Sequence, residues 1–142
     1  METLLALLLG VSLLTPTQLA MAQEIKAVAD AYDVNAARMI SIAWCESHLS
    51  SNPNLRVLDT NGRYSYGIFQ FQKQTFFGHG GRNIKSPEDQ MVTAAKMMKD
   101  EGWNHWKNCN HKTLATLNAG AYALNSTLTN VEPAQNVIVR PD

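Results

Sequence analysis

The chain has 142 residues, and its twelve lysines and arginines balance its twelve aspartates and glutamates. This length suits one ordinary domain, and a hydrophobic content of 45% supplies enough apolar side chains for a core, which argues against wholesale disorder. A formal charge of zero leaves no basic surplus, so we expect no nucleic-acid partner. Two cysteines are too few for a disulfide-scaffolded mini-protein or a four-cysteine zinc site.

The first segment has the features of a signal peptide. An apolar run of eleven residues from Leu4 to Leu14 is too short to cross a bilayer, which takes about 20 such residues. Ala20-Met21-Ala22 fits the small-x-small pattern that precedes a signal-peptidase cut. We therefore predict a signal peptide at 1–22, no other membrane segment, and a secreted protein in the periplasm or cell wall. Because Glu2 precedes the run and no lysine or arginine does, an uncleaved amphipathic anchor and a misassigned start codon are the alternatives.

Export decides how the two cysteines are interpreted. Outside the cytoplasm an even pair is most simply a disulfide, and Cys45 and Cys109 lie 64 positions apart. Closing so long a loop would stabilise the folded chain by roughly 4 kcal/mol in the chain-entropy description. Two unrelated buried thiols are the alternative.

Helical spacing of apolar residues organises the rest of the chain, with cap and turn residues at its boundaries. The spacing predicts a helix at 23–32, a second helix from Ala36 to between Glu46 and His48, a loop with a small hairpin or extended piece near 63–71, a helix from Ser86-Pro87 to Gly102, and a last helix at 113–124. We find no repeat and no internal domain boundary.

Glu46 is the candidate catalytic residue. It lies at the C-terminal end of the second helix, directly after Trp44-Cys45, where the helix dipole disfavours negative charge and neighbouring aromatic rings would exclude water. Both effects raise the pKa of a carboxyl group, and a carboxyl that stays protonated near neutral pH can act as the general acid of glycosidic cleavage. A solvated surface residue is the alternative for a glutamate near a helix end.

A second candidate segment, Tyr66-Gly67-Ile68-Phe69-Gln70-Phe71, begins twenty positions after Glu46. Its glycine permits the close approach of a chain-like ligand, and Gln70 offers an amide to sugar hydroxyls and acetamido groups. An ordinary strand beside a bulge is the alternative.

Together these segments resemble the lysozyme-like domains of SLT-type lytic transglycosylases and resuscitation-promoting factors. Those families carry a Glu-Ser pair at a helix end, as in Glu46-Ser47, followed by a Gly-x-x-Gln segment, as in 67–70. The resuscitation-promoting type adds a cysteine just before the glutamate, bonded to a cysteine after a tryptophan-containing stretch, and Cys45 and Cys109 match that pattern. The resemblance covers roughly 36–109.

The resemblance implies a fold and a substrate. We expect an α+β, predominantly α-helical, lysozyme-like single domain at 23–125, with a small extended or hairpin insert and a C-terminal tail at 126–142. The partner would be peptidoglycan glycan strands bound in a cleft by a monomer, with Glu46 as the catalytic residue. The residues that the resemblance assigns to substrate binding are Gln70, Tyr66, Gly67, Ser47, Asn118 and Tyr122. Asn118 lies in Leu117-Asn118-Ala119-Gly120, which resembles the Tyr-Asn-Ala-Gly motif of lytic transglycosylases. Because Leu117 stands where that motif has tyrosine, Tyr122 would replace it.

Carboxylate counting bears on the mechanism. Ordinary glycoside hydrolases use two acids, whereas the only acid between Glu46 and Glu88 is Asp59, for which we favour a capping role in its own turn. The family route needs only one acid. Glu46 would protonate the glycosidic oxygen and then take the proton of the 6-hydroxyl, which would give a 1,6-anhydro end. A muramidase of the same fold and a non-catalytic wall-binding module are the alternatives.

Metal chemistry is not indicated by the sequence. The four histidines lack zinc-binding spacing, and Arg63 occupies a ligand position of the partial calcium-loop pattern that starts at Asp59. We therefore expect no metal and no cofactor.

Overall fold

The computed structural model describes residues 14–111, which form a mostly helical chain with one small sheet. In chain order the elements are α1 (Pro16–Ala31), α2 (Ala36–Ser47), β1 (Arg56–Leu58), β2 (Tyr64–Tyr66), β3 (Phe71–Gln72), α3 (Lys73–Gly78), α4 (Pro87–Glu101), a 3-10 turn (Asn104–Trp106) and α5 (Lys107–His111). The predicted α+β, predominantly α-helical class is confirmed. The predicted helix at 113–124 and tail at 126–142 lie outside the described residues.

Helix α1 begins seven residues earlier than the apolar spacing predicts. Thr15 is its N-cap: the hydroxyl oxygen accepts a hydrogen bond from the Gln18 backbone N–H at 3.1 Å, while Gln18 Oε1 accepts one from the Thr15 N–H at 2.9 Å. This reciprocal capping box and Pro16 at the first helical position explain the early start. The helix runs through Ala22, which is fully buried, so it crosses the predicted cleavage position. The signal peptide itself stays a prediction.

The first turn of α1 also contacts the end of α2. Gln18 Nε2 donates a hydrogen bond to the backbone oxygen of His48 at 3.2 Å, and His48 is the left-handed C-cap of α2. The residues just before the predicted cut therefore touch the helix end that carries Glu46. Within residues 14–111, no helix has the length and apolar character needed to span a bilayer.

Helices α2 and α4 form as predicted because each has a cap residue beside an apolar stripe. Asn35 Oδ1 accepts from a backbone N–H of the first turn of α2 at 2.9 Å, and Ser86 Oγ does the same for α4 at 3.1 Å. Gly102 ends α4 with φ of +80°. The core lies between α1, α2, α4 and the segment around the sheet, and its largest fully buried apolar side chains are Ile25, Met39, Ile40, Ile42, Leu49, Ile68, Phe69, Phe71, Phe76, Met91 and Val92.

The sheet is antiparallel, with strand order β1-β2-β3. Asp59, in the turn before β2, fastens it: one carboxylate oxygen accepts from the Ser65 hydroxyl and from Gln72 Nε2, the latter at 2.9 Å. These hydrogen bonds, that of Ser65 first, lower the pKa of Asp59 below its usual value. The Asp59 side chain thus reaches β2 and β3 instead of capping its own turn. Asn61 makes the local turn contact, since its Oδ1 accepts from the Arg63 N–H at 3.0 Å.

Candidate active site

Glu46 lies in the last turn of α2 and is half-buried. On one side of it, Cys45 forms a disulfide with Cys109 in α5, with the two Cα atoms 5.7 Å apart. The predicted pairing is therefore present in the structure. It ties the helix end that carries Glu46 to a segment 64 residues further along the chain.

On the other side of Glu46, Ser47 joins the same helix end to the segment that follows β2. Its hydroxyl oxygen lies 2.9 Å from the carbonyl oxygen of Ile68, 3.2 Å from that of Ala43, and accepts from the Ser50 N–H at 3.2 Å. These contacts fit the simpler interpretation of Ser47 as a helix-end residue that touches backbone carbonyls. Its role in substrate binding stays a prediction.

The segment 66–70 is a turn in which each of four successive backbone carbonyls accepts a hydrogen bond from a different side chain. The four donors are Gln90 Nε2 to Tyr66 at 2.9 Å, Gln70 Nε2 to Gly67 at 2.8 Å, Ser47 Oγ to Ile68 at 2.9 Å, and Trp106 Nε1 to Phe69 at 3.1 Å. Because buried carbonyls without partners are costly, these side chains fix the conformation of the turn. The Ser47 bond brings the Glu46-bearing helix end and the Gly-x-x-Gln turn together.

Gln90 is the residue of this arrangement that sequence reasoning missed. Its side chain is 1% exposed; besides its bond to Tyr66, it donates to the Ile84 carbonyl at 2.8 Å and accepts from the Phe69 N–H at 3.0 Å. Both N–H groups of its amide and the amide oxygen therefore have hydrogen-bond partners inside the protein. The available signal was its position four residues before Ala94, on the inward apolar face of α4, where a polar residue needs a partner.

Gly67 is required by the close approach of Gln90. Its φ is +72°, and a Cβ built there would lie 2.2 Å from Gln90 Nε2. The glycine therefore makes room for a side chain of the protein itself, in addition to any approach of a ligand. Its contribution to substrate binding stays a prediction.

Gln70 has φ of +51° and is half-buried at the end of the turn. Because its Nε2 is bonded to the Gly67 carbonyl, the amide is held in place and Oε1 is the atom left to accept a hydrogen bond from a ligand. Tyr66, also half-buried, lies at the start of the turn, with the Lys73 ammonium 5.3 Å from its ring centroid. Asn118 and Tyr122 lie outside the described residues.

The tryptophans after α4 have different surroundings. Trp106 belongs to the core, where its ring meets those of Phe69 and Phe71 edge-on at centroid distances of 6.2 and 5.7 Å. Trp103 is half-buried beneath the Arg38 guanidinium, which lies 4.3 Å from its ring centroid. Trp106 thus stabilises the turn from below and is not a sugar-stacking surface.

Metal-binding geometry is not found among residues 14–111, where no group of three or more histidine, cysteine, aspartate or glutamate side chains could hold an ion. His79 and Glu101 form a pair, with their Nε2 and Oε1 atoms 2.8 Å apart. It joins the end of α3 to the end of α4.

These observations define a mostly helical α+β domain in which the helix end that carries a half-buried glutamate is joined, through the neighbouring Ser47, to a Gly-x-x-Gln turn. A family model described as a transglycosylase-like domain matches residues 34–109, more than half of the chain. The chain therefore belongs to the transglycosylase-like domain family, which confirms the resemblance found in the sequence. No curated protein and no solved structure matches the chain. Family membership supports, in general terms, an enzyme that cleaves glycosidic bonds of peptidoglycan.

Proposed function

We propose that this protein is an exported lytic transglycosylase that cuts the β-1,4 bond between N-acetylmuramic acid and N-acetylglucosamine, with Glu46 as its single acid and base. One observation carries the proposal: the Glu46-bearing helix end is tied on both sides. Cys45 bonds it to Cys109, and Ser47 bonds it to the Gly-x-x-Gln turn through Ile68. A carboxyl group on a backbone held in this way can be oriented toward one bond of a bound glycan, which is the condition for efficient general acid catalysis.

The reaction needs two proton transfers at Glu46. The protonated carboxyl donates its proton to the glycosidic oxygen, the bond between that oxygen and C1 of the muramic residue breaks, and an oxocarbenium-like centre forms at C1. The resulting carboxylate then removes the proton of the 6-hydroxyl of the same sugar while O6 bonds to C1. The products are a free 4-hydroxyl and a 1,6-anhydro end, water is not consumed, and Glu46 is again protonated.

The environment of Asp59 supports this single-acid route over a two-carboxylate hydrolysis. Its carboxylate already accepts hydrogen bonds from Ser65 and Gln72, which lower its pKa and tie it to the sheet. A group employed in this way is poorly suited to act as a nucleophile or to activate water. Between Glu46 and Glu88 the chain has no other acid.

For substrate contacts we propose Gln70 and Tyr66, on the two ends of the turn. Gln70 Oε1 would accept from an acetamido N–H or a sugar hydroxyl, because the other half of its amide is already bonded to Gly67. Tyr66 would contact the sugar next to it. Asn118 and Tyr122 stay in this proposal on the strength of the sequence motif alone.

Export belongs to the same proposal. A disulfide next to Glu46 fits an oxidising compartment, and the substrate lies outside the cytoplasm. A cut after Ala22 would remove the Thr15 cap and the Gln18 contact with His48. The mass of the exported chain, measured on protein recovered from the producing cell, identifies the cut.

Glu46→Gln tests the catalytic assignment, because glutamine is nearly isosteric with glutamate and cannot deliver a proton. General acid–base catalysis is worth about 10²–10⁴-fold, so we expect muropeptide release from purified peptidoglycan to fall by at least about 100-fold. Glu24→Gln, the same change at an exposed position of α1, is the matched control and should retain activity. Equal release by Glu46→Gln and the native protein would refute the assignment.

Mass spectrometry of the released fragments tests the reaction type. An anhydro end is lighter than a reducing end by one water, so reducing ends alone would identify a muramidase. Binding of peptidoglycan by the native protein without any release would identify a wall-binding module.

A further inference from the structure

The charge of this chain is segregated along its sequence. Residues 49–87, which contain the sheet and α3, carry a single acid, Asp59. The bases of that stretch are Arg56, Arg63, Lys73, Arg82 and Lys85. Five bases against one acid give a formal charge of +4, and because the whole chain sums to zero, the remainder carries −4. The turn 66–70 lies within this positively charged stretch of the sequence.

Two of these bases are held on tyrosine rings on one face of the sheet. Tyr64 and Tyr66 are two positions apart on β2 and share a face, with ring centroids 6.3 Å apart. Arg56 on β1 pairs with Tyr66 in the register, and its guanidinium carbon lies 4.4 Å from the Tyr64 ring centroid. The Lys73 ammonium lies 5.3 Å from the Tyr66 ring centroid. We call these four residues the cation–tyrosine face.

The cations of this face are open to an external anion. Arg56 and Lys73 are both exposed, and neither pairs with a carboxylate of residues 14–111. The nearby Asp59 does not neutralise them, because it binds Ser65, whose side chain points to the opposite face of β2. Stacking on a ring fixes the position of a cation while leaving N–H groups to donate.

The cation–tyrosine face adjoins the candidate active site, because Tyr66 is the last residue of β2 and also the first residue of the turn 66–70. The sugar backbone of peptidoglycan is uncharged where its lactyl groups are amide-linked to peptide, whereas the peptide stems carry carboxylates. Two exposed cations beside a glycan site therefore match the stems and not the sugars. Resting on the proposed function, we propose that the cation–tyrosine face binds carboxylates of the peptide stems that flank the cleaved bond.

Binding to two forms of the substrate tests the proposal. In a Glu46→Gln background, which keeps the glycan intact, the double change Arg56→Gln with Lys73→Gln is compared with its parent in cosedimentation with two substrates. One is whole sacculi; the other is stripped strands, from which an amidase has removed the peptides and whose freed lactyl carboxylates have then been converted to neutral amides. Exposed ion pairs are worth about 0.2–1 kcal/mol each, so losing two should weaken binding to whole sacculi by about 2- to 30-fold. Binding to stripped strands should not change. Added salt should reduce the difference in affinity for whole sacculi between the parent and the double variant.

A matched pair of changes controls for total charge. Arg82→Gln with Lys85→Gln removes two exposed bases of the same basic stretch outside the face, and it should bind whole sacculi like the parent. Thermal unfolding of each variant verifies that the fold is retained.

Three outcomes would overturn the proposal: an undiminished affinity for whole sacculi, an equal loss on stripped strands, or an equal loss in the control pair. The same cosedimentation is repeated with sacculi freed of phosphate-containing polymers. If the parent and the double variant then bind equally well, the face binds phosphate instead of peptide carboxylate. Failure of the proposed function is seen separately, as native protein that binds sacculi and releases no fragment.

Discussion

Replacing Gly67 with alanine tests the claim that Gln90 determines the shape of the turn. At φ of +72° an alanine costs about 1–2 kcal/mol, and the new Cβ would lie 2.2 Å from Gln90 Nε2 and 2.7 Å from its Cδ. Gln90 cannot move aside without giving up hydrogen bonds to Tyr66, Ile84 or Phe69. One buried group left without its partner costs about 1–3 kcal/mol, so the total loss of unfolding free energy should be about 2–5 kcal/mol.

Gly62→Ala separates the two contributions. Gly62 has φ of +80°, but apart from the glycine and its two chain neighbours, no heavy atom of residues 14–111 lies within 4 Å of a Cβ built there. Only the backbone cost of about 1–2 kcal/mol should appear. Urea unfolding followed by tryptophan fluorescence measures both variants, and Gly67→Ala should lose about 1–3 kcal/mol more than the control.

Equal losses in Gly67→Ala and Gly62→Ala would refute the reasoning, because they would show that the approach of Gln90 is without cost. A double variant gives a second test. Gly67→Ala combined with Gln90→Ala should lose less than the sum of the single changes, since the clash requires the glutamine side chain.

Two further predictions concern the ends of the helices. A chain that begins at Gln23 should be less stable than one that begins at Leu14 by about 1 kcal/mol or more, because it lacks the Thr15 cap; coincident urea midpoints would contradict this. The pKa of His79 is raised, chiefly by its hydrogen bond to a backbone carbonyl of α3 and further by Glu101. The protonated ring therefore stabilises the fold fully below pH 6.5, and this contribution disappears as the pH rises through the raised pKa. The difference in unfolding free energy between the native protein and His79→Gln, under about 1 kcal/mol for this exposed pair, should shrink along that course; a difference independent of pH would contradict it.

The long helices could be predicted because their signals are local. Asn35 and Ser86 are caps that directly precede apolar stripes, and Gly102 follows one. The six-residue α3 has too few turns to show a period, and it was missed for that reason. The start of α1 was misplaced because Thr15-Pro16 also ends the apolar run of the predicted leader, and the signal for a helix start there is the capping box of Thr15 with Gln18.

The candidate site was predicted as residues but not as an arrangement. Glu46 and the Gly-x-x-Gln segment are short motifs that can be found in the sequence. Gln90 and Trp106 form hydrogen bonds with Phe69 across separations of 21 and 37 residues, and the local spacing of residues in the sequence cannot predict such contacts. Asp59 shows the same limit, since its carboxylate reaches across the sheet to Gln72 and not to its own turn.

The four side chains that hold the carbonyls of 66–69 come from α2, from the turn itself, from α4 and from the 3-10 turn. The Gly-x-x-Gln letters alone therefore carry little information about shape. Grafting Glu46 and this motif onto another helical scaffold would transfer the chemistry without the geometry, unless the equivalents of Ser47, Gln90 and Trp106 travelled with them. A design that uses this site must therefore include the side chains that hold the turn from distant positions of the sequence, in addition to the motif itself.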